Sequence, residues 1–358
     1  MHLLIPFANC NSAECQHLRA TLELPNLDKL LHKLPLAHTD AADETTLSPP
    51  HERALAAAYG ISMPNSATTA WPDGQTPWGA WHAAQAGHAM ASADAWAVIT
   101  PCHWTVQTSH ITMTHPRALN LMEDESRALL AAMQPYFAED GIALMYDTPT
   151  RWLARGAVFA GLATASPYRV VGGHVDDWLP KAASAKLLRR LQNEMQMLLY
   201  THPLTDARAA QGLAAVNSFW VSGTGALPPG FAQSPQNAVL KSPSLTASNS
   251  LGAALRMPVT TPVAVPNTLR DAAIQGDWAA WAQAWQQIDS TECATLLRVI
   301  DTKANMKTGP TPSATLTLCG ERSAQTYQAG QNGLANRFLR KIRGYFSLQP
   351  SSTVLNKL

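Results

Sequence analysis

Short apolar runs of strand length alternate along this chain with longer stretches whose apolar residues recur every three or four positions. That alternation constrains the fold most, because it asks for strands and helices in turn and so for an α/β class. His2 to Phe7, Trp96 to Thr100, Ile142 to Tyr146, Val216 to Ser222, Val263 to Val265, Cys293 to Ile300 and Ala314 to Leu318 read as strands, and the Gly-rich stretch Pro149 to Gly173 shows no clear period. His51 to Tyr59, Glu123 to Phe137, Ala183 to Tyr200, Pro203 to Ala210, Asn267 to Ile274, Asp277 to Ile288 and Leu334 to Phe346 read as helices. Thr39 to Pro50, Met63 to Thr76 and Gln233 to Ser250 are loops by composition, the last leading into a helix. At 358 residues the chain exceeds what one core supports, so two domains, or one with an insertion, are expected.

Some elements carry local signals. Glu123, Asp124 and Glu125 place acid in the first turn of a helix whose apolar positions are Leu129, Leu130, Met133 and Phe137, and Gly141 ends it. In Ala183 to Tyr200 the stripe Leu187, Leu191, Leu198 leaves Lys186, Arg189 and Arg190 on the other side, and the helical turn puts Glu194 inside the stripe, where it would be buried. Trp278, Trp281 and Trp285 share one helical face and read as core. Gly223-Thr224-Gly225 should break the strand that begins at Val216.

Only 14% of residues are charged against 46% hydrophobic, which excludes a disordered polyelectrolyte. The net charge of +1 gives no chain-wide attraction to nucleic acid or to an anionic membrane, and the basic segment Leu334 to Phe346 reads as a solvated face. Five scattered cysteines without a C-x-x-C pair favour a reducing compartment. With no secretory signal and no apolar stretch of spanning length, the expectation is a cytoplasmic protein without a membrane partner.

The usual catalytic signatures are missing. No G-x-S-x-G elbow and no phosphate loop occurs, and Pro228 stands where a dinucleotide fingerprint needs its third glycine. His174-Val175-Asp176-Asp177 is the densest run of metal-ligand types and reads equally as a capping loop. All 12 histidines lie at or before His202.

Three places hold more polar chemistry than packing explains. His103, beside Trp104 at a strand end, is a ligand group, an acid or base, or a structural histidine. Glu194, with His202 a few residues on, suggests a buried network; Arg151 could pair with it or bind an acidic ligand. Asn217 and Trp220 share a strand, where a buried amide must satisfy donor and acceptor.

The segments PCHW (101–104), RWL (151–153), NEMQMLL (193–199), HP (202–203) and VNSFWVSGTG (216–225) resemble a bacterial family of RpfE-type regulatory proteins whose members are also described as phosphoglycerate-mutase-like. More distantly, Asn217, Gly223 and Gly225 with His202, Pro203 and Arg208 are similar to archaeal-type cofactor-independent phosphoglycerate mutases. That resemblance implies a doubly wound alkaline-phosphatase-like α/β sheet with a smaller inserted α/β domain. The core would be 1–95 and 157–358, and the insertion 96–156. It also implies two divalent ions, manganese or zinc, with a Ser or Thr nucleophile. The chain departs from this pattern: Asn9-Cys10-Asn11 follows the first strand where those enzymes carry an Asp, and no histidine lies beyond His202 to complete the ligand set.

The expectation is therefore a catalytically degenerate binding or regulatory module with no metal and no catalytic residue, its ligand a protein or small molecule. His103, Trp104, Arg151, Glu194, Asn217 and Trp220 would line its pocket or interface. The alternative is an active metal-dependent mutase or phosphatase with relocated ligands from His174, Asp176, Asp177 and Glu194.

Overall fold

The computed structural model describes residues 1–61, 70–88, 94–228, 231, 263–305, 314–328 and 350–358. The expected helix over Leu334 to Phe346 and the loop over Gln233 to Ser250 lie outside these residues. The chain forms two compact units, one made of 1–44, 50–60 and 239–358, the other of 45–49 and 61–238.

In the first unit, β1 (His2–Ile5) lies between and parallel to β9 (Val263–Ala264) and β10 (Thr315–Cys319). β11 (Ser323–Gln328) and β2 (Leu36–Ala41) extend the sheet antiparallel, giving the order β2-β11-β10-β1-β9. Strand alternation sends Leu3, Ile5, Leu316 and Leu318 into one core. That core is completed from α1 (Ala13–Thr21), α2 (Pro25–Lys33), α10 (Thr268–Gln275), α11 (Trp278–Ile288) and α12 (Ala294–Asn305). Leu4, pointing to the other face, is equally buried, and α3 (Pro50–Ala58) packs against β1, β10 and β11. A last helix, Ser351–Leu355, adds Val354 and Leu355 to the core.

The segment Cys293 to Ile300, expected as a strand, is helical. Cys293, Leu296 and Leu297 are buried, the three-and-four spacing of a helix face, and a π-helical turn over Asp289–Cys293 joins α11 to α12. That turn aims Asp289 at the start of α2, which has no side-chain cap of its own. The buried Asp289 carboxylate accepts from Leu27 N at 2.7 Å, Asn26 N at 3.2 Å and Asn26 Nδ2 at 3.1 Å. A distant residue thus satisfies the orphan amides of the first turn.

The second unit is built on an antiparallel sheet ordered β6 (Ala143–Thr148), β7 (Arg151–Arg155), β3 (Trp96–Cys102), β8 (Ser218–Gly225). A hairpin of β4 (Trp104–Val106) and β5 (Ile111–Met113) follows β3. α5 (Glu123–Glu139) and α8 (Lys186–Tyr200) contribute to the core on the face marked by Ala97, Ile99, Trp152 and Phe219. On α5, Glu125 accepts from Met122 N and from the buried Arg208 of α9 (Pro203–Ala210). Its Nε and Nη2 reach the carbonyls of Ala214 and Leu119, so each guanidinium nitrogen has a partner. Within residues 96–156 lie β3, β6 and β7, and β8 supplies the fourth strand of their sheet.

Strand β8 runs on through Gly223 to Gly225 instead of breaking there. Gly223, at φ +60°, is needed for clearance: a Cβ would stand 2.7 Å from the Cβ of Trp78. Gly79 likewise lies directly on Ala97, where a Cβ would meet main-chain atoms at 2.5 Å. Two glycines therefore seat α4 (Trp78–Gln85) directly against β3 and β8.

His2 sits on β1 with its Nε2 2.9 Å from Thr317 Oγ1, and burial lowers its pKa to about 4. The folded state thus binds fewer protons than the unfolded chain between that value and the ordinary histidine range. Stability from the neutral ring is present at neutral pH and lost as pH falls from about 6.5 towards 4. His2→Gln should flatten this acid limb, measured as urea midpoint against pH.

Candidate functional site

The turn that follows β1 gathers polar side chains at the carboxyl ends of two parallel strands, where open α/β sheets place ligand groups. Pro6 ends the strand and Phe7 adopts a left-handed backbone, φ +52°. That conformation is costly for a bulky residue, and neighbouring bonds hold it. Ala8 N donates to Cys319 O at 2.7 Å. Trp281 Nε1 donates to Phe7 O at 2.9 Å and Trp285 Nε1 to Ala8 O at 3.2 Å. The tryptophan face of α11 is core, as its spacing implied, and it also supplies the donors for this turn.

Beyond the pinned carbonyls the side chains bond to one another. Arg19 of α1 donates from Nη1 to Asn9 Oδ1 at 2.5 Å, and Asn11 Nδ2 donates to Glu321 Oε2 at 2.6 Å. Ser12 caps α1, its Oγ accepting from Cys15 N at 3.1 Å.

This donor set does not fit the pair of divalent ions that the mutase resemblance implies. Asn9 and Asn11 are neutral amides, the oxygen of one already holds a guanidinium, and the other is spent as a donor. A dication there would face the Arg19 charge with Glu321 the one carboxylate that the described bonds bring to the turn, fewer than a pair of divalent ions needs.

The six residues expected to line a pocket fall in the second unit and form three separate arrangements. His103, Trp104, Asn217 and Trp220 come together where β3 leaves its sheet for the hairpin. His103 Nδ1 is 2.7 Å from Ala215 O, which fixes the proton on that nitrogen as the donor. Asn217 brackets Trp104: its Oδ1 accepts from Trp104 N at 2.7 Å and its Nδ2 donates to Trp104 O at 2.8 Å. Asn217 N also donates to Cys102 O at 3.1 Å. The amide side chain thus imitates a neighbouring strand and extends the β3–β8 ladder past its last pair. Trp220, buried, donates from Nε1 to Ala165 O at 2.9 Å. Burial pushes the Cys102 thiol up.

Arg151 belongs to the second arrangement. It pairs with Asp147, Nε to Oδ2 at 2.5 Å, and not with Glu194. Burial, and then the Arg151 charge, hold His82 on α4 well below the ordinary histidine range, so it stays neutral. Sequence reasoning missed His82 and Asp147; the i,i+4 spacing of Asp147 and Arg151 was the available signal.

Glu194 lies on α8, away from the other five. The residues this helix buries are Leu188, Leu191, Gln192, Met195 and Leu199, which rotates the buried face by one position from the expected stripe. Glu194 is left on the outer flank, about 120° from the centre of that face. It is 39% exposed, with Oε1 3.5 Å from Arg190 Nε. The relocated ligand set also fails to assemble. His174 Nδ1 and Asp177 Oδ2 are exposed and 4.0 Å apart, and among the described residues no three His, Cys, Asp or Glu side chains are arranged to hold an ion.

Asn217→Ala should remove both bonds to the Trp104 main chain and destabilise the protein by about 1–3 kcal/mol, read from urea denaturation. Glu194→Gln should shift stability by less than about 0.5 kcal/mol. Equal effects would contradict the contrast drawn between these sites.

No family model matches the chain. Over 148 residues it is 26% identical to a Geobacter sulfurreducens protein described as "Probable 2,3-bisphosphoglycerate-independent phosphoglycerate mutase". The match covers 41% of this chain and 37% of that relative's length. Among solved structures it is similar to a cofactor-independent phosphoglycerate mutase from Thermoplasma acidophilum, at 13% identity and a TM-score of 0.35, covering 93% of this chain and 90% of the other. It is also similar to the PH0037 protein from Pyrococcus horikoshii, at 12% identity and a TM-score of 0.47, covering 92% and 86%.

Proposed function

We propose that the protein is a catalytically degenerate relative of cofactor-independent phosphoglycerate mutases that acts by binding, in keeping with the regulatory role implied by the RpfE-type resemblance. The observation that carries this reading is the bonding of the β1–α1 turn. Asn9 and Asn11 stand where the enzymes place a metal-binding aspartate, and both are engaged by Arg19 and Glu321. In bimetal phosphoryl transfer an ion pair stabilises the attacking and departing oxygens, and amides tied to neighbouring side chains do not hold one. The ligand is a protein or small molecule met in a reducing, cytoplasmic setting, which suits five free cysteines.

Metal analysis of the purified full chain, with a phosphoglycerate mutase assay in excess manganese, tests this. Manganese and zinc should be retained well below one equivalent, with no interconversion of 3- and 2-phosphoglycerate above the protein-free blank. Two retained ions with turnover would overturn the reading.

A further inference from the structure

His110 and His174 stack face to face, their ring centroids 4.1 Å apart and their planes 16° from parallel. The main chain brings them together. His110 closes the β4–β5 hairpin, its carbonyl accepting from Gln107 N at 2.8 Å, and leads directly into β5. An isolated antiparallel bridge sets His174 opposite Thr112 of that strand, and Gly172 N donates to Met113 O at 3.3 Å. Met113 and Val175 are buried in one core, so both segments carrying the pair are anchored close beside it. The rings stay within reach of solvent: His110 is half-buried and the His174 side chain is 58% exposed.

We propose that His110 and His174 chelate one divalent transition-metal ion of the zinc, nickel and copper class. Imidazole is a side chain these borderline-soft ions favour. Two imidazoles on adjacent positions of one ion, with metal–nitrogen bonds of about 2.0–2.1 Å, have centroids about 4.5–5 Å apart. The stacked pair already stands within about 1 Å of that spacing, and a turn of each ring about its last torsion makes the lone pairs converge. The nitrogens are sorted as well. His110 Nδ1 has Ser109 Oγ at 3.1 Å, and His174 Nδ1 has the Asp177 carboxylate at 4.0 Å. An oxygen facing each Nδ1 favours N–H on that side and leaves Nε2 its lone pair, the arrangement that supports metal-bound histidines. Water completes the coordination, because among the described residues no third side chain of ligand type is arranged with the pair. The bound ion ties the hairpin to the segment that enters the short helix Val175–Trp178.

A chelate of two imidazoles exchanges its ion with buffer, so it is read by titration and not by what survives purification. The inference stands apart from the proposed loss of catalysis: two retained ions with turnover would sink that reading and leave this site standing. The full chain, stripped with EDTA and then freed of chelator, is titrated with zinc chloride by isothermal calorimetry. Zinc should bind in the micromolar range, copper(II) more tightly, and manganese at least about tenfold more weakly than zinc, the order that nitrogen ligands impose. His110→Ala and His174→Ala should each weaken zinc by about tenfold or more, while His38→Ala, at an exposed position of β2, leaves it unchanged. A second measurement uses the wild-type chain alone. Diethyl pyrocarbonate, mapped by mass spectrometry, should modify His110 and His174 in the stripped protein, and saturating zinc should protect both while His38 still reacts. Equal zinc affinity in the wild type and both variants overturns the proposal, and so does reaction of His110 and His174 that zinc fails to slow.

Discussion

The first unit depends on two indole N–H groups finding main-chain oxygen. A parallel strand that ends inside a core leaves carbonyls to be satisfied, and a buried unpaired carbonyl costs about as much as a lost hydrogen bond. Trp281 and Trp285, one turn apart on α11, reach the carbonyls of Phe7 and Ala8 while their rings fill the core against β1. One helix therefore supplies apolar volume and hydrogen bonds to the same turn. This is how Phe7 can hold a left-handed conformation and how Asn9, Cys10 and Asn11 are presented at the strand end.

The second unit solves a similar problem with an amide. Where β3 passes into the β4–β5 hairpin its ladder with β8 runs out, and the Asn217 side chain continues it for one more residue through Trp104. Polar residues that looked available for a ligand are occupied by their own chain. Asp289 acts in the same way on α2, reaching across from a π-helical turn to amides that lack a local cap. Much of the unusual polar chemistry in this sequence thus closes main-chain hydrogen bonds.

Most elements were legible because their periodicities are local properties. β1, β3, α5 and α10 follow from apolar spacing and end signals, and the alternation gives the α/β class. The failures have physical causes. Cys293 to Ile300 has β-branched and apolar residues in a run short enough for either period, and only the continuation from α11 through the π turn decides for helix. Glu194 was misplaced because Leu187 and Leu198 fit a stripe one position away from the one that packing selects. The bonding of His103, Trp104, Asn217 and Trp220 was not legible, since carbonyl partners such as Ala165 and Ala215 leave no mark in side-chain chemistry.

A helix cushioned on side chains can creep as those side chains change rotamer, whereas α4 rests on main chain at Gly79 and close to it at Gly223. Its height above the sheet is set by hard-core contact, leaving no compressible layer between them. His82 rides on this helix, while Arg151 and Asp147 belong to the sheet or its edge. The separation of the imidazole from the ion pair is consequently a dimension of the scaffold itself. Enlarging either glycine would displace that neutral ring without altering any group that titrates.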